Sequence, residues 1–223
     1  MKIKVKFCGI RREEDVRFMN EFKPDYAGYI FAESKRRVTP EQAAALSLLL
    51  DKAIKRVGVF VNETTENIAQ TALIAGLDVI QLHGDEGEKE IQAVKRLLPG
   101  VEIWKAVRVH SPQAVMEAQA LPCKRLLLDS FSPEARGGTG KLIDIELLKS
   151  AGLRGGFFLA GGINAGNMIR IVREMRPYGV DISSGIETDG VKDRTKIQEI
   201  MRCLECLEKE DSVSSAANMS PKP

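Results

Sequence analysis

Eight short apolar runs recur along this chain, each followed by a longer stretch of helical spacing. The runs cover residues 3–8, 26–31, 56–61, 79–82, 102–107, 125–129, 156–160 and 179–182. Several are almost unbroken in Val, Ile, Leu or Phe, as strands are when both faces of their sheet are covered. The segments between them carry helix signals. Pro40 stands directly behind Thr39, the stretch 62–66 (Asn-Glu-Thr-Thr-Glu) offers caps and acidic first-turn residues, and Ile197, Ile200, Met201 and Leu204 fall at helical spacing. Such β/α alternation specifies a parallel sheet with helices packed outside it. The composition shows no second-domain shift, and Gly-x-Gly-x-x-Gly is missing after the first strand. Both facts favour an α/β fold closed as a single-domain (β/α)8 TIM barrel over an open doubly wound sheet. The barrel is expected over 1–208, and the polar stretch 209–223, rich in Ser, Ala, Asn and Pro, reads as a disordered tail.

The remaining composition excludes several classes of function. A hydrophobic content of 43% over 223 residues supports one sizeable core. Basic and acidic residues number 33 and 31, and aromatics make up 5%, so neither a nucleic-acid grip nor a base-stacking platform is expected. No apolar stretch approaches the roughly 20 residues a membrane span needs, and residues 1–10 alternate charged with apolar side chains, unlike a signal peptide. Cys8, Cys123, Cys203 and Cys206 lack a disulfide-scaffold spacing, which makes a reducing, cytoplasmic location the expectation. Cys203 and Cys206 are spaced C-x-x-C inside the last helical segment without a second ligand pair, so no metal site is expected there.

A barrel of this kind keeps its active site at the C-terminal ends of the strands. Three groups of residues arrive there. Glycine-rich or small-residue loops follow strand 6 (137–140, Gly-Gly-Thr-Gly), strand 7 (159–164, Leu-Ala-Gly-Gly-Ile-Asn) and strand 8 (181–187, Asp-Ile-Ser-Ser-Gly-Ile-Glu). Backbone N–H groups of such loops can approach an anion closely, so a phosphate cradle is expected, with Gly162, Ser184 and Gly185 as its donors. Cys8 ends strand 1 and Asp129 ends strand 6. A thiol near a cation is a competent base, and a carboxylic acid can deliver a proton, a pairing suited to shifting a proton beside a C=N or C=O group. Cysteine is equally at home as a small buried hydrophobe, whereas a carboxylate directly after three leucines is costly to bury unpaired and is expected at the barrel mouth. The basic cluster Lys35, Arg36, Arg37 after strand 2 suits a carboxylate or phosphate, or simply solvent. His83 ends strand 4 and is a candidate ligand contact. His110 is expected in an exposed loop and Trp104 in the core or the barrel lining.

Several segments in this order resemble the phosphoribosylanthranilate isomerase family of tryptophan biosynthesis. They are 6–10 (Lys-Phe-Cys-Gly-Ile), 34–40 (Ser-Lys-Arg-Arg-Val-Thr-Pro), 57–62 (Val-Gly-Val-Phe-Val-Asn), 81–84 (Gln-Leu-His-Gly), 128–129 (Leu-Asp), 137–141 (Gly-Gly-Thr-Gly-Lys), 159–164 and 180–187. The likeness covers roughly residues 2–207, and the Cys-Gly-Ile start and Ser-Ser-Gly-Ile-Glu end are its more specific parts. It implies an Amadori rearrangement of N-(5-phosphoribosyl)anthranilate to the 1-deoxyribulose product. Cys8 then removes the C2′ proton, Asp129 protonates the ribose ring oxygen, and Arg36 takes the anthranilate carboxylate. The phosphate goes to Gly140, Gly162, Ser184 and Gly185. No metal or organic cofactor is implied, because the aryl nitrogen of the substrate supplies the iminium. The partner is a small phosphosugar rather than a nucleic acid or membrane, and the chain is a monomer or a homodimer. Two other readings stand beside this one: an isomerase of another aminoaldose phosphate, and a non-catalytic barrel that senses a phosphorylated ligand.

Overall fold

The computed structural model describes residues 2–130, 145–153 and 155–217. Its strands are β1 (Lys4–Cys8), β2 (Tyr26–Ile30), β3 (Lys55–Phe60), β4 (Val79–Leu82), β5 (Glu102–Val109), β6 (Arg125–Ser130), β7 (Phe158–Leu159) and β8 (Gly179–Ile182). They pair in parallel in chain order and close into a barrel, with β8 returning to β1 through the register Lys6 opposite Asp181. Between them run α1 (Glu13–Phe22), α2 (Pro40–Leu49), α3 (Thr65–Ala75), α4 (Glu88–Leu97), α5 (Pro112–Ala118), α6 (Ile145–Ser150) and α7 (Met168–Met175), and α8 (Arg194–Ala217) ends the described chain. The expected (β/α)8 barrel is the observed fold.

Local chemistry starts the helices where the sequence places them. Thr39 accepts from the Gln42 backbone N–H while the Gln42 side chain accepts from Thr39 N–H, a reciprocal cap ahead of Pro40. Thr64 caps α3 by accepting from Asn67 N–H. The strands have period 2, so alternate residues point into the lumen. Tyr26, Val57, Val79, Trp104, Leu127 and Phe158 form one buried cluster there, and the Trp104 and Phe158 rings stack 4.5 Å apart. This apolar plug fills the N-terminal part of the barrel and leaves the inward positions one pleat further on, including Cys8, Gly28, Gln81 and Asp129, for chemistry.

Two features depart from the sequence-based expectation. The chain after β8 makes a short 3₁₀ turn (Ser184–Ile186) and then a tight antiparallel hairpin, β9 (Glu187–Thr188) with β10 (Val191–Lys192). Asp189 and Gly190 at its tip have φ of 50° and 75°, as an Asp-Gly two-residue turn requires. Residues 209–217, expected as the start of a tail, instead continue α8 to Ala217. Residues 208–217 contain neither Gly nor Pro to stop a helix, and Glu210 accepts from Arg173 of α7 at 2.6 Å. The loop 137–140 expected after strand 6 lies outside the described residues, as do 218–223.

Candidate active site

Above the aromatic plug the barrel opens into a cavity of about 540 Å³. Cys8 from the end of β1, Gln81 and His83 from β4 and its loop, Asp129 from β6 and Asp181 from β8 line it, together with Arg36, Gly161, Gly162, Ser183 and Ser184 from the loops. The expected base and acid therefore share one chamber, as period 2 in β1 and β6 predicts. Asp129 is buried and has one carboxylate oxygen 3.3 Å from His83 Nε2. Gln81 Nε2 lies 3.0 Å from the other ring nitrogen. With the amide donating to Nδ1, the imidazole carries its proton on Nε2 and directs it at Asp129. One Asp129 oxygen is thereby held, and the carboxyl keeps a fixed aim into the cavity. Gln81 itself is buried, and its Oε1 has no partner among the described residues.

Arg36 reaches the same chamber but is not loose. Its Nε and a terminal nitrogen donate to the two oxygens of Glu187 at 2.8 and 2.6 Å, a fork-on-fork pairing that fixes the guanidinium plane. Glu187 also accepts from the buried Lys192 at 2.8 Å. Burial pushes the Glu187 carboxyl up, but the two cations outweigh it and hold its pKa down at about 2.

The loops after β7 and β8, where a phosphate cradle is expected, also reach this cavity. Gly162 and Ser184 line the cavity, and Gly185 is the next residue along the chain. A Cβ on Gly185 would stand 1.9 Å from the Ile163 carbonyl oxygen, so only glycine lets the loops after β7 and β8 approach this closely. Asn167 Nδ2 donates to the Gly162 carbonyl at 2.9 Å and pins the first of these loops just before α7. Gly140, the remaining expected phosphate contact, falls outside the described residues.

The family model described as N-(5'phosphoribosyl)anthranilate (PRA) isomerase matches residues 5–202. The chain belongs to this family. An N-(5'-phosphoribosyl)anthranilate isomerase from Thermoanaerobacter sp. (strain X514) is 43% identical over 196 residues, 88% of this chain and 95% of the relative. Another from Endomicrobium trichonymphae is 43% identical over 204 residues, 92% of this chain and 99% of the relative. Among solved structures, phosphoribosyl anthranilate isomerase from Thermus thermophilus superposes with a TM-score of 0.79 at 31% identity, covering 92% of this chain and all of that one. A PRA isomerase solved in complex with reduced 1-(o-carboxyphenylamino)-1-deoxyribulose 5-phosphate superposes with a TM-score of 0.74 at 32% identity, covering 91% of this chain and 98% of that one.

The sequence reading of this isomerase missed the charged groups under and beside the cavity. Lys6 is fully buried and donates to both oxygens of Asp181 at 2.9 Å. Lys192, on the hairpin, donates to the carbonyls of Cys8 and Ser183 at 2.6 and 3.1 Å as well as to Glu187. For Lys6 a signal was present: if Cys8 faces the lumen, period 2 makes Lys6 face it too. For Glu187 and Lys192 the signal was the Asp-Gly turn, which folds the chain back beneath Arg36. Elsewhere, Trp104 is buried in the lining and His110 is exposed, as expected. Cys203 and Cys206 are free thiols on α8. Among the described residues, no group of three His, Cys, Asp or Glu side chains is arranged to hold a metal ion.

Proposed function

We propose that this PRA isomerase runs its Amadori rearrangement with Cys8 as base and Asp129 as acid. The observation that carries this reading is the convergence of Cys8, Asp129 and Arg36 on one chamber with the loops after β7 and β8. Asp129 protonates the ribose ring oxygen, the ring C–O bond opens, and the aryl nitrogen becomes an iminium. That iminium acidifies C2′, and Cys8 takes the C2′ proton. The resulting enolamine gains a proton at C1′ while its C2′ hydroxyl gives one up, and it becomes the ketose with no atom lost. Arg36, held flat by Glu187, receives the anthranilate carboxylate on the edge that Glu187 does not use. His83 keeps the Asp129 carboxyl aimed at the ring oxygen. Gly162, Ser184 and Gly185 take the phosphate at the other end, with Gly140 as a further contact. A substrate spanning these two ends positions C2′ and the ring oxygen at the same time.

A small phosphorylated sugar is thus the partner, and no cofactor is required by the chemistry. No helix among the described residues is long and apolar enough to cross a membrane, and all four cysteines are free thiols, which supports a reducing, cytoplasmic setting. The test is turnover of phosphoribosylanthranilate, followed by loss of anthranilate fluorescence, in wild type, Cys8→Ser and Asp129→Asn. Each substitution should lower kcat by about 10²–10⁴-fold, as the loss of a general acid or base does. Wild-type turnover in both variants would remove the assignment. An inactive wild type that still binds phosphorylated ligands would favour a sensor.

A further inference from the structure

We infer that Lys6, held on Asp181 beneath the cavity, is the positioning residue that keeps the Cys8 sulfur available as a thiolate. The inference rests on the reading of Cys8 as the base. Lys6 and Cys8 are two residues apart on β1 and face the lumen together. On one side β1 sets Lys6 opposite Asp181 of β8, and on the other it sets Cys8 opposite Gly28 of β2. Gly28 is where the two groups meet. A Cβ there would stand 2.9 Å from the Cys8 sulfur and 3.1 Å from Lys6 Nζ, so a side chain at this position would push into both.

An ammonium has three donors. Two of those on Lys6 are spent on Asp181, at 2.9 Å each, which leaves one for the side of Gly28 where the Cys8 sulfur also lies. The other cations around the thiol are committed elsewhere. Lys192 of β10 uses its donors on the carbonyls of Cys8 and Ser183 and on Glu187. Arg36, from the loop after β2, is neutralised by Glu187. Among these described cations, Lys6 is the one that shares the space over Gly28 with the sulfur. Burial is the largest influence on the Cys8 thiol and leaves it above its ordinary value; Lys6 is the strongest pull downward, limiting that rise, and Asp181 pushes it up again. Stability gives no reason to keep such a pair, because apolar residues of similar volume commonly replace a buried ion pair at no cost. The pair therefore acts as a setting for the thiol: Lys6 favours the anion, while Asp181 fixes where Lys6 sits and its own charge opposes the anion.

The experiment measures Cys8 ionisation without substrate. Carbamidomethylation by iodoacetamide is followed against pH, and the Cys8-containing peptide is quantified by mass spectrometry. In Lys6→Met the midpoint should rise by about one pH unit or more, with labelling at pH 8 reduced about tenfold. In Asp181→Asn it should move the opposite way. Because Lys6→Met leaves Asp181 buried alone, the double variant Lys6→Met/Asp181→Leu gives a folded background in which the midpoint should also rise. The acid limb of kcat/KM should follow the labelling midpoint in each active variant. An unmoved midpoint in a folded Lys6→Met or double variant overturns the proposal, as does a raised or unmoved one in Asp181→Asn. These readouts need no turnover, so they separate failure of this inference from failure of Cys8 as the base, which Cys8→Ser reports.

Discussion

Arg36 lies in plane against Glu187, 151 residues further along the chain, through two parallel hydrogen bonds of 2.8 and 2.6 Å. The pairing joins the loop after β2 to the hairpin after β8, and Lys192 extends it to the carbonyl of Cys8. The group expected to bind the carboxylate and the group expected to remove the proton are therefore braced by one network.

Glu187→Gln keeps the shape of this brace and removes its charge. Arg36 then loses its planar anchor, and the buried Lys192 loses its counter-ion. KM for phosphoribosylanthranilate should rise about tenfold or more, equivalent to roughly 1.4 kcal/mol of binding, with a smaller change in kcat. An unaltered KM in steady-state fluorescence assays would show that Arg36 does not depend on Glu187.

The same carboxylate makes stability depend on pH in a defined direction. Its pKa is about 2 in the folded chain, against roughly 4.3 for an unfolded glutamate. Its contribution is complete above the unfolded value and is lost as pH falls from there toward about 2. Urea midpoints measured at pH 6, 4 and 3 should fall less steeply for Glu187→Gln than for wild type. Parallel acid limbs in the two proteins would contradict the assignment.

Gln81→Leu removes the donor to His83 Nδ1 at nearly constant volume. The imidazole is then free to change tautomer or turn, and Asp129 loses its fixed aim. A fall in kcat of about tenfold, with KM little changed, is expected for a misdirected acid. If KM rises while kcat holds, Gln81 contacts the substrate directly.

Gly185→Ala tests the anion loops. The new methyl meets the Ile163 carbonyl oxygen, so the loops after β7 and β8 must separate. Inorganic phosphate should lose its ability to inhibit, and KM should rise at least about tenfold, while circular dichroism still reports a folded barrel. Normal phosphate inhibition would place the anion elsewhere.

Much of this molecule was legible without coordinates. Eight apolar runs give eight strands, and the residues at their C-terminal ends, Cys8, His83 and Asp129, line the chamber because period 2 and parallel closure leave them no other place. Thr39 and Thr64 cap helices because their hydroxyls satisfy orphan amides within three residues. The extension of α8 to Ala217 was not legible, since a polar segment without Gly or Pro suits a helix and a tail about equally until Arg173 engages Glu210.

The sequence by itself determined the elements, their alternation and which side chains stand at the barrel mouth, because these depend on patterns only a few residues long. Tertiary structure alone decided who pairs with whom. Lys6 meets Asp181 across 175 residues only because β8 closes on β1, and Arg36 meets Glu187 only because the hairpin folds back over that seam. Charge pairing falls off within a few ångströms and carries no trace in local spacing. The residues proposed to tune the base and to brace the carboxylate contact thus come together only when the barrel closes.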